Sequence, residues 1–113
     1  MRALVAVAFL MTGTGCGFAE DYSAQTFYDG NKLYTACQYD QTECVAYAIG
    51  VLDTEVTIRA LLHLAKQYCL PPNATAGQIG DIVAKYLRDY PGKRQYEASS
   101  LVMLAVASAF ACN

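Results

Sequence analysis

The chain has 113 residues, 55% of them hydrophobic, and a formal net charge of −2. That is enough for one small packed domain, and too apolar for a disordered chain. The acidic balance and the lack of a Lys/Arg run exclude an electrostatic nucleic-acid binder.

The first stretch reads as an exported leader over residues 1–19. Met1-Arg2 is a short basic start, Ala3 to Met11 is continuously apolar, and Gly17-Phe18-Ala19 is a small-x-small cleavage site. The mature chain then begins at Glu20 and runs 20–113. The apolar run is too short to span a bilayer, which takes about 20 residues. A lipoprotein attached through Cys16 is the alternative, but Gly13 stands where a lipobox carries a larger aliphatic residue.

A first helix is expected over Ser23 to Ala36, with Phe27, Leu33, Tyr34 and Cys37 on one face. Gly30 inside it either breaks the helix or admits another backbone closely. Residues 38–43 read as a polar turn. A second helix is expected from Thr42 to Gln67, with Ile49, Leu52, Val56, Ala60 and Leu64 as its buried stripe. Gly50 in its interior costs about 1 kcal/mol against Ala, and close helix crossing is the expected reason. Cys69-Leu70-Pro71-Pro72-Asn73 stops this helix.

Thr75 and Gln78 form a capping-box pattern that opens a third helix. Ile79, Ile82, Val83, Tyr86, Leu87 and Tyr90 follow at helical spacing, and Pro91-Gly92 ends it. A fourth helix spans Glu97 to Phe110, with Leu101, Val102, Ala105, Ala109 and Phe110 facing inward. No strand-like alternation occurs. The expected class is all-α: a small four-helix bundle-like domain with two disulfides, behind an N-terminal signal peptide.

Without the leader, Cys37, Cys44, Cys69 and Cys112 remain, an even number suited to an oxidising compartment. If short loops make consecutive helices antiparallel, Cys37 and Cys44 share one pole, and Cys69 and Cys112 share the other. The pairing Cys37–Cys44 and Cys69–Cys112 follows, because bonded Cα atoms sit about 4.4–6.8 Å apart. The same scheme brings loops 38–43 and 90–97 to one pole. Tyr39, Asp40, Gln41, Glu43, Tyr90, Lys93, Arg94, Gln95 and Tyr96 would form a partner-binding surface there, rich in hot-spot residue types.

Catalysis has little support. His63, the single histidine, lies in an apolar helix segment, where a structural role is the commoner one. Cys37 and Cys44 are separated by too many residues for a close zinc pair. There is no CxxC redox motif and no phosphate-binding glycine loop. Asp53 and Glu55, two apart on one helix, point to different sides. The Asn73-Ala74-Thr75 triplet is explained by Thr75 as a cap.

FYDGNKLYTAC, CVAYAIGVLD, CLPPNATAGQIGDIVAKYLRDYP and the final FAC together resemble the Rap/Tai-type immunity proteins, over about Phe27 to Cys112. The matching positions Gly30, Leu33, Cys37, Cys44, Tyr47, Gly50, Asp53, Cys69, Pro71, Gln78, Leu87, Pro91 and Cys112 look fold-defining. Ala111 departs from a proline common before the last cysteine, which touches only the final cap. The resemblance implies a periplasmic protein, frequently a homodimer, that binds a peptidoglycan amidase toxin delivered by type VI secretion and occludes its catalytic cleft. It implies no enzymatic activity, no metal and no cofactor. A small disulfide-bonded periplasmic chaperone or general binding protein is the alternative from composition alone.

Overall fold

The computed structural model describes residues 26–113. The leader expected at 1–19, Cys16 and residues 20–25 lie outside the described residues. Four α-helices follow in order: α1 (Gly30–Tyr39), α2 (Gln41–Leu61), α3 (Ala76–Asp89) and α4 (Ala98–Ala109). A short 3₁₀ turn, Pro91–Lys93, links the last two.

Side chains fix three of the helix starts by accepting orphan backbone N–H groups. The Asp29 carboxylate accepts from the Lys32 N–H at 2.8 Å, and Asp40 accepts from Glu43 at 3.1 Å. Thr75 and Gln78 form the expected reciprocal box, at 3.2 and 2.9 Å. The start of α4 has no such side chain. Instead the Ala98 N–H donates to the Tyr28 carbonyl at 3.1 Å, which ties this end to the residue pair before α1.

The first helix therefore begins at Gly30 and not at Ser23. Asp29 is extended and caps it, so Phe27 falls outside the helix and is 94% exposed. Gly30 is buried at the helix start, where the backbone of Arg94 passes. Of the two roles open to Gly30 in the sequence, the structure shows both: the helix starts there, and another strand of chain comes close.

The second helix ends at Leu61 and not at Gln67. The Leu64 N–H reaches the Arg59 carbonyl at 2.9 Å, and the His63 N–H reaches Ala60 at 3.4 Å. This is a Schellman termination with His63 in the left-handed position at φ 53°. A residue with a Cβ is strained there. His63→Gly is expected to raise stability by about 1 kcal/mol, read from urea denaturation midpoints.

The buried stripe expected on α2 is only partly present. Leu52 is buried and Ile49 half-buried, but Val56, Ala60 and Leu64 are exposed. The reason is the route of residues 62–75, which carry no α-helix and return toward the first half of α2. Gly80 of α3 faces Val45, and the Cys44 sulfur lies 3.9 Å from the Gly80 carbonyl. The third helix thus packs on the start of α2, and beyond Leu52 no α2 residue is buried.

The core joins Leu33 of α1, Ala48 and Leu52 of α2, Val83 and Leu87 of α3, and Leu101, Val102 and Val106 of α4. Each large aliphatic side chain buried there contributes about 1.5–3 kcal/mol. Tyr68, 7% exposed, is the anchor by which the 62–75 strap joins this core. Both expected disulfides are present, with Cα separations of 4.6 Å for Cys37–Cys44 and 5.0 Å for Cys69–Cys112.

Candidate functional site

The two loops expected at one pole lie at opposite ends of α1. The Gly30 N–H donates to the Tyr96 carbonyl and the Asn31 N–H to the Arg94 carbonyl, both at 2.9 Å. The loop after α3 is therefore sewn to the first turn of α1, whereas residues 38–43 follow its last turn. Ten residues of helix separate them, about 15 Å. The physical cause is again the returning strap. By starting α3 beside the first turns of α2, it sends the end of α3 to the start of α1.

At the 38–43 end, Tyr39 is 86% exposed and closes α1. Asp40 is the sole residue between two helices and spends its carboxylate on capping α2. Gln41 opens α2 and is exposed. Glu43 accepts a hydrogen bond from the Tyr28 hydroxyl, and that bond is the main reason the Tyr28 phenol is raised above its ordinary pKa. Tyr28 also stacks on Tyr47, centroids 5.0 Å apart, and Lys32 sits 4.2 Å over its ring. Burial raises the Tyr47 phenol, with a hydrogen bond to Ser99 opposing it.

At the other end, Lys93 is exposed and lies 5.0 Å over the Tyr90 ring, with its Nζ 3.3 Å from the Tyr86 hydroxyl. Gln95 and Tyr96 are exposed. Arg94 is different. Its Nε donates to the Leu87 carbonyl at 2.6 Å, and a terminal nitrogen donates to the Arg88 carbonyl at 3.3 Å. The guanidinium lies 3.5 Å over the Tyr34 ring. These bonds satisfy the last carbonyls of α3 and clamp it to α1. Arg94 is half-buried, and its guanidinium is engaged in holding α3 to α1.

One surface was not anticipated. Tyr47, Gly50, Val51, Thr54 and Ile58 of α2, with Met103 of α4, line an open apolar groove of about 610 Å³. Ile58 is 47% exposed, and Leu61, Leu62 and Leu64 continue the apolar surface past the helix end. Gly50 lies in this groove, and a Cβ there would meet nothing within 4 Å. Among the described residues, no helix crosses at Gly50 closely enough to explain it. The signal was available in the sequence, since Tyr47, Val51, Thr54, Ile58 and Leu61 recur at three and four. A stripe of that kind reads equally as core.

Of the two carboxylates noted in the sequence, Glu55 is engaged locally, while Asp53 is an exposed residue of α2 whose backbone carbonyl, not its carboxylate, takes part in a side-chain hydrogen bond. Glu55 pairs with Arg59 one turn on, and the Asp53 carbonyl accepts from the Thr57 hydroxyl at 2.9 Å. Among the described residues, no group of three or more His, Cys, Asp or Glu side chains could hold a metal ion. Among them, too, no helix is long and apolar enough to cross a membrane. The surface offers exposed tyrosines, exposed lysines that include Lys93, and an apolar groove.

Comparison with known families gives one match. A family model described as Rap1a immunity proteins matches residues 29–112, from the cap of α1 to the second cysteine of the long bridge. No curated protein and no solved structure matches the chain.

Proposed function

We propose, from the premise that the chain belongs to the Rap1a immunity protein family, that it neutralises a peptidoglycan amidase delivered by type VI secretion. It does so in the periplasm, by binding the toxin and covering its catalytic cleft. The family match carries this reading. Two disulfides fit an oxidising compartment. Occlusion asks for a rigid, complementary surface and for no catalytic group of the inhibitor's own.

The contact surface we assign is Tyr39, Asp40, Gln41 and Glu43 at one end of α1, and Lys93, Gln95 and Tyr96 at the other. Arg94 supports the second group from below. The two patches lie at opposite ends of α1, so each is tested separately. Tyr39→Ala and Lys93→Glu alter exposed side chains and leave the fold intact. Each is expected to weaken inhibition of the amidase about 30-fold or more, the scale of a hot-spot residue. An inhibition constant unchanged by both variants would move the toxin contact elsewhere on the molecule. Arg94→Glu does not serve, because it uncaps α3.

The reading includes a homodimer. A general chaperone is the second reading, and the exposed apolar surface of α2 favours it. Suppression of aggregation of unrelated clients separates the two: the immunity reading expects none at equimolar protein.

A further inference from the structure

We infer that the cavity between the second half of α2 and the 62–75 strap binds a small aliphatic monocarboxylate. The Tyr68 hydroxyl donates to its carboxylate, and Lys66 supplies the counter-charge. The inference stands apart from the toxin reading above and begins with Tyr68. This residue is 7% exposed, and its hydroxyl, closed to solvent, has no hydrogen-bond partner among the described residues. No other buried side-chain oxygen or nitrogen among them is left so. Buried polar groups are ordinarily paired, because losing water without a replacement partner is unfavourable. Anchoring the strap to the core asks only for the ring, which a phenylalanine would supply.

Tyr68 lines a cavity of about 410 Å³. Val56 and Ala60 of α2 form one wall, and Leu64 and Leu70 of the strap form the other. Arg59 joins the two walls. Its Nε pairs with Glu55, and Nη1 donates to the Ala65 carbonyl at 2.7 Å. The Glu55 side chain is only 9% exposed, so this pair is part of the wall and not a loose surface contact. The volume and the lining are those of a small-molecule site, mostly apolar with a few polar groups to fix orientation.

The charges select the head group of the ligand. Glu55 and Arg59 neutralise each other, whereas Lys66, the third charged residue of the lining, makes no ion pair among the described residues. The cavity therefore carries one net positive charge. Burial raises the Tyr68 phenol above its ordinary pKa, with Arg59 opposing and Asp53 adding. The phenol thus stays protonated at neutral pH and can donate. A donor beside a cation suits a carboxylate, and a hydrogen bond to a charged group is the strong kind. The apolar walls take an aliphatic body. Because the hydroxyl is closed to solvent, the ligand reaches it by parting a wall. The strap is the wall that gives, since it carries no α-helix, whereas α2 is held by its own ladder of backbone bonds.

The test is an amide NMR titration of the oxidised protein, residues 20–113, with octanoate and with octanol as its uncharged counterpart. Octanoate is expected to bind saturably, with a dissociation constant on the order of 0.1–1 mM, and to shift the amides of strap residues 64–70. Octanol is expected to bind at least about 10-fold more weakly. Tyr68→Phe is expected to weaken octanoate binding at least about 10-fold, and Lys66→Met about 3-fold, with far-UV circular dichroism unchanged in both. Lys66 is exposed, so its variant reports on the site even where Tyr68→Phe disturbs the fold. A dissociation constant for octanoate above about 10 mM would overturn the site. So would octanol binding as tightly as octanoate, or an affinity that both variants leave unchanged, since the cavity would then be an apolar surface only.

Discussion

Removing the Cys69–Cys112 bridge, as Cys69→Ser with Cys112→Ser, is expected to lower the free energy of unfolding by about 4 kcal/mol. The bridge closes a loop with a sequence separation of 43, and on the chain-entropy account long loops cost the unfolded state most. Its native surroundings add to the effect. Residues 62–75 carry no α-helix and are held to the core by Tyr68, by the bridge, and by the Cys69 N–H donating to the Phe110 carbonyl at 2.8 Å. Both cysteines are exposed, so serine replaces them without burying a hydroxyl. The Cys37–Cys44 bridge, with a separation of 7, is worth about 2.5 kcal/mol on the same account. Urea denaturation of the two double variants checks the order. A larger loss on removing the short bridge would show that loop entropy is not what the bridges supply.

Gly30→Ala is expected to cost about 3 kcal/mol, near the upper end for an overpacked site. A Cβ at Gly30 would lie 2.6 Å from the Arg94 Cα and 2.7 Å from its carbonyl oxygen, and would overlap a methyl of Leu101. Leu101 could turn, but the Arg94 backbone cannot. Its carbonyl accepts from Asn31, and its side chain is bonded to the end of α3. The junction of α1 with the loop before α4 would have to open. Gly80→Ala meets only a methyl of Val45 at 2.6 Å and should cost less. A melting temperature for Gly30→Ala within a degree of wild type would mean that the approach of Arg94 is looser than the structure has it.

These cases show which parts of the fold a single sequence carries. Caps are local, and Thr75 with Gln78 was readable because three residues contain the whole interaction. Gly30 was readable as a conflict, since a glycine in an apolar helical pattern asks for a close neighbour. The end of α2 was not. Leu61-Leu62-His63-Leu64 continues the apolar pattern, and the stop is made by a left-handed His63, where glycine is the residue type that would have marked it. That one termination sets the path of the strap, and the strap decides where α3 begins. The antiparallel scheme failed there, and the single polar pole failed with it. The cysteine pairing survived because the strap itself carries Cys69 back to the end of α4. On α2, apolar residues lie on more than one side. The pattern could not say that Leu52 is core while Ile58 faces outward, because a docking face and a buried face use the same residue types.

Arg94 carries the same lesson for the surface. Loop position and residue type marked it as a hot spot, as they did Lys93. Only the geometry separates them: one guanidinium spent on the α3 carbonyls and Tyr34, one ammonium on exposed tyrosine rings.

Neutralisation is tested most directly by titrating the oxidised protein, residues 20–113, into a type VI peptidoglycan amidase, with muropeptide hydrolysis as the readout. Stoichiometric loss of amidase turnover is expected, with a complex that co-elutes on size exclusion. Full turnover at a tenfold excess of this protein, with no complex retained, would contradict it.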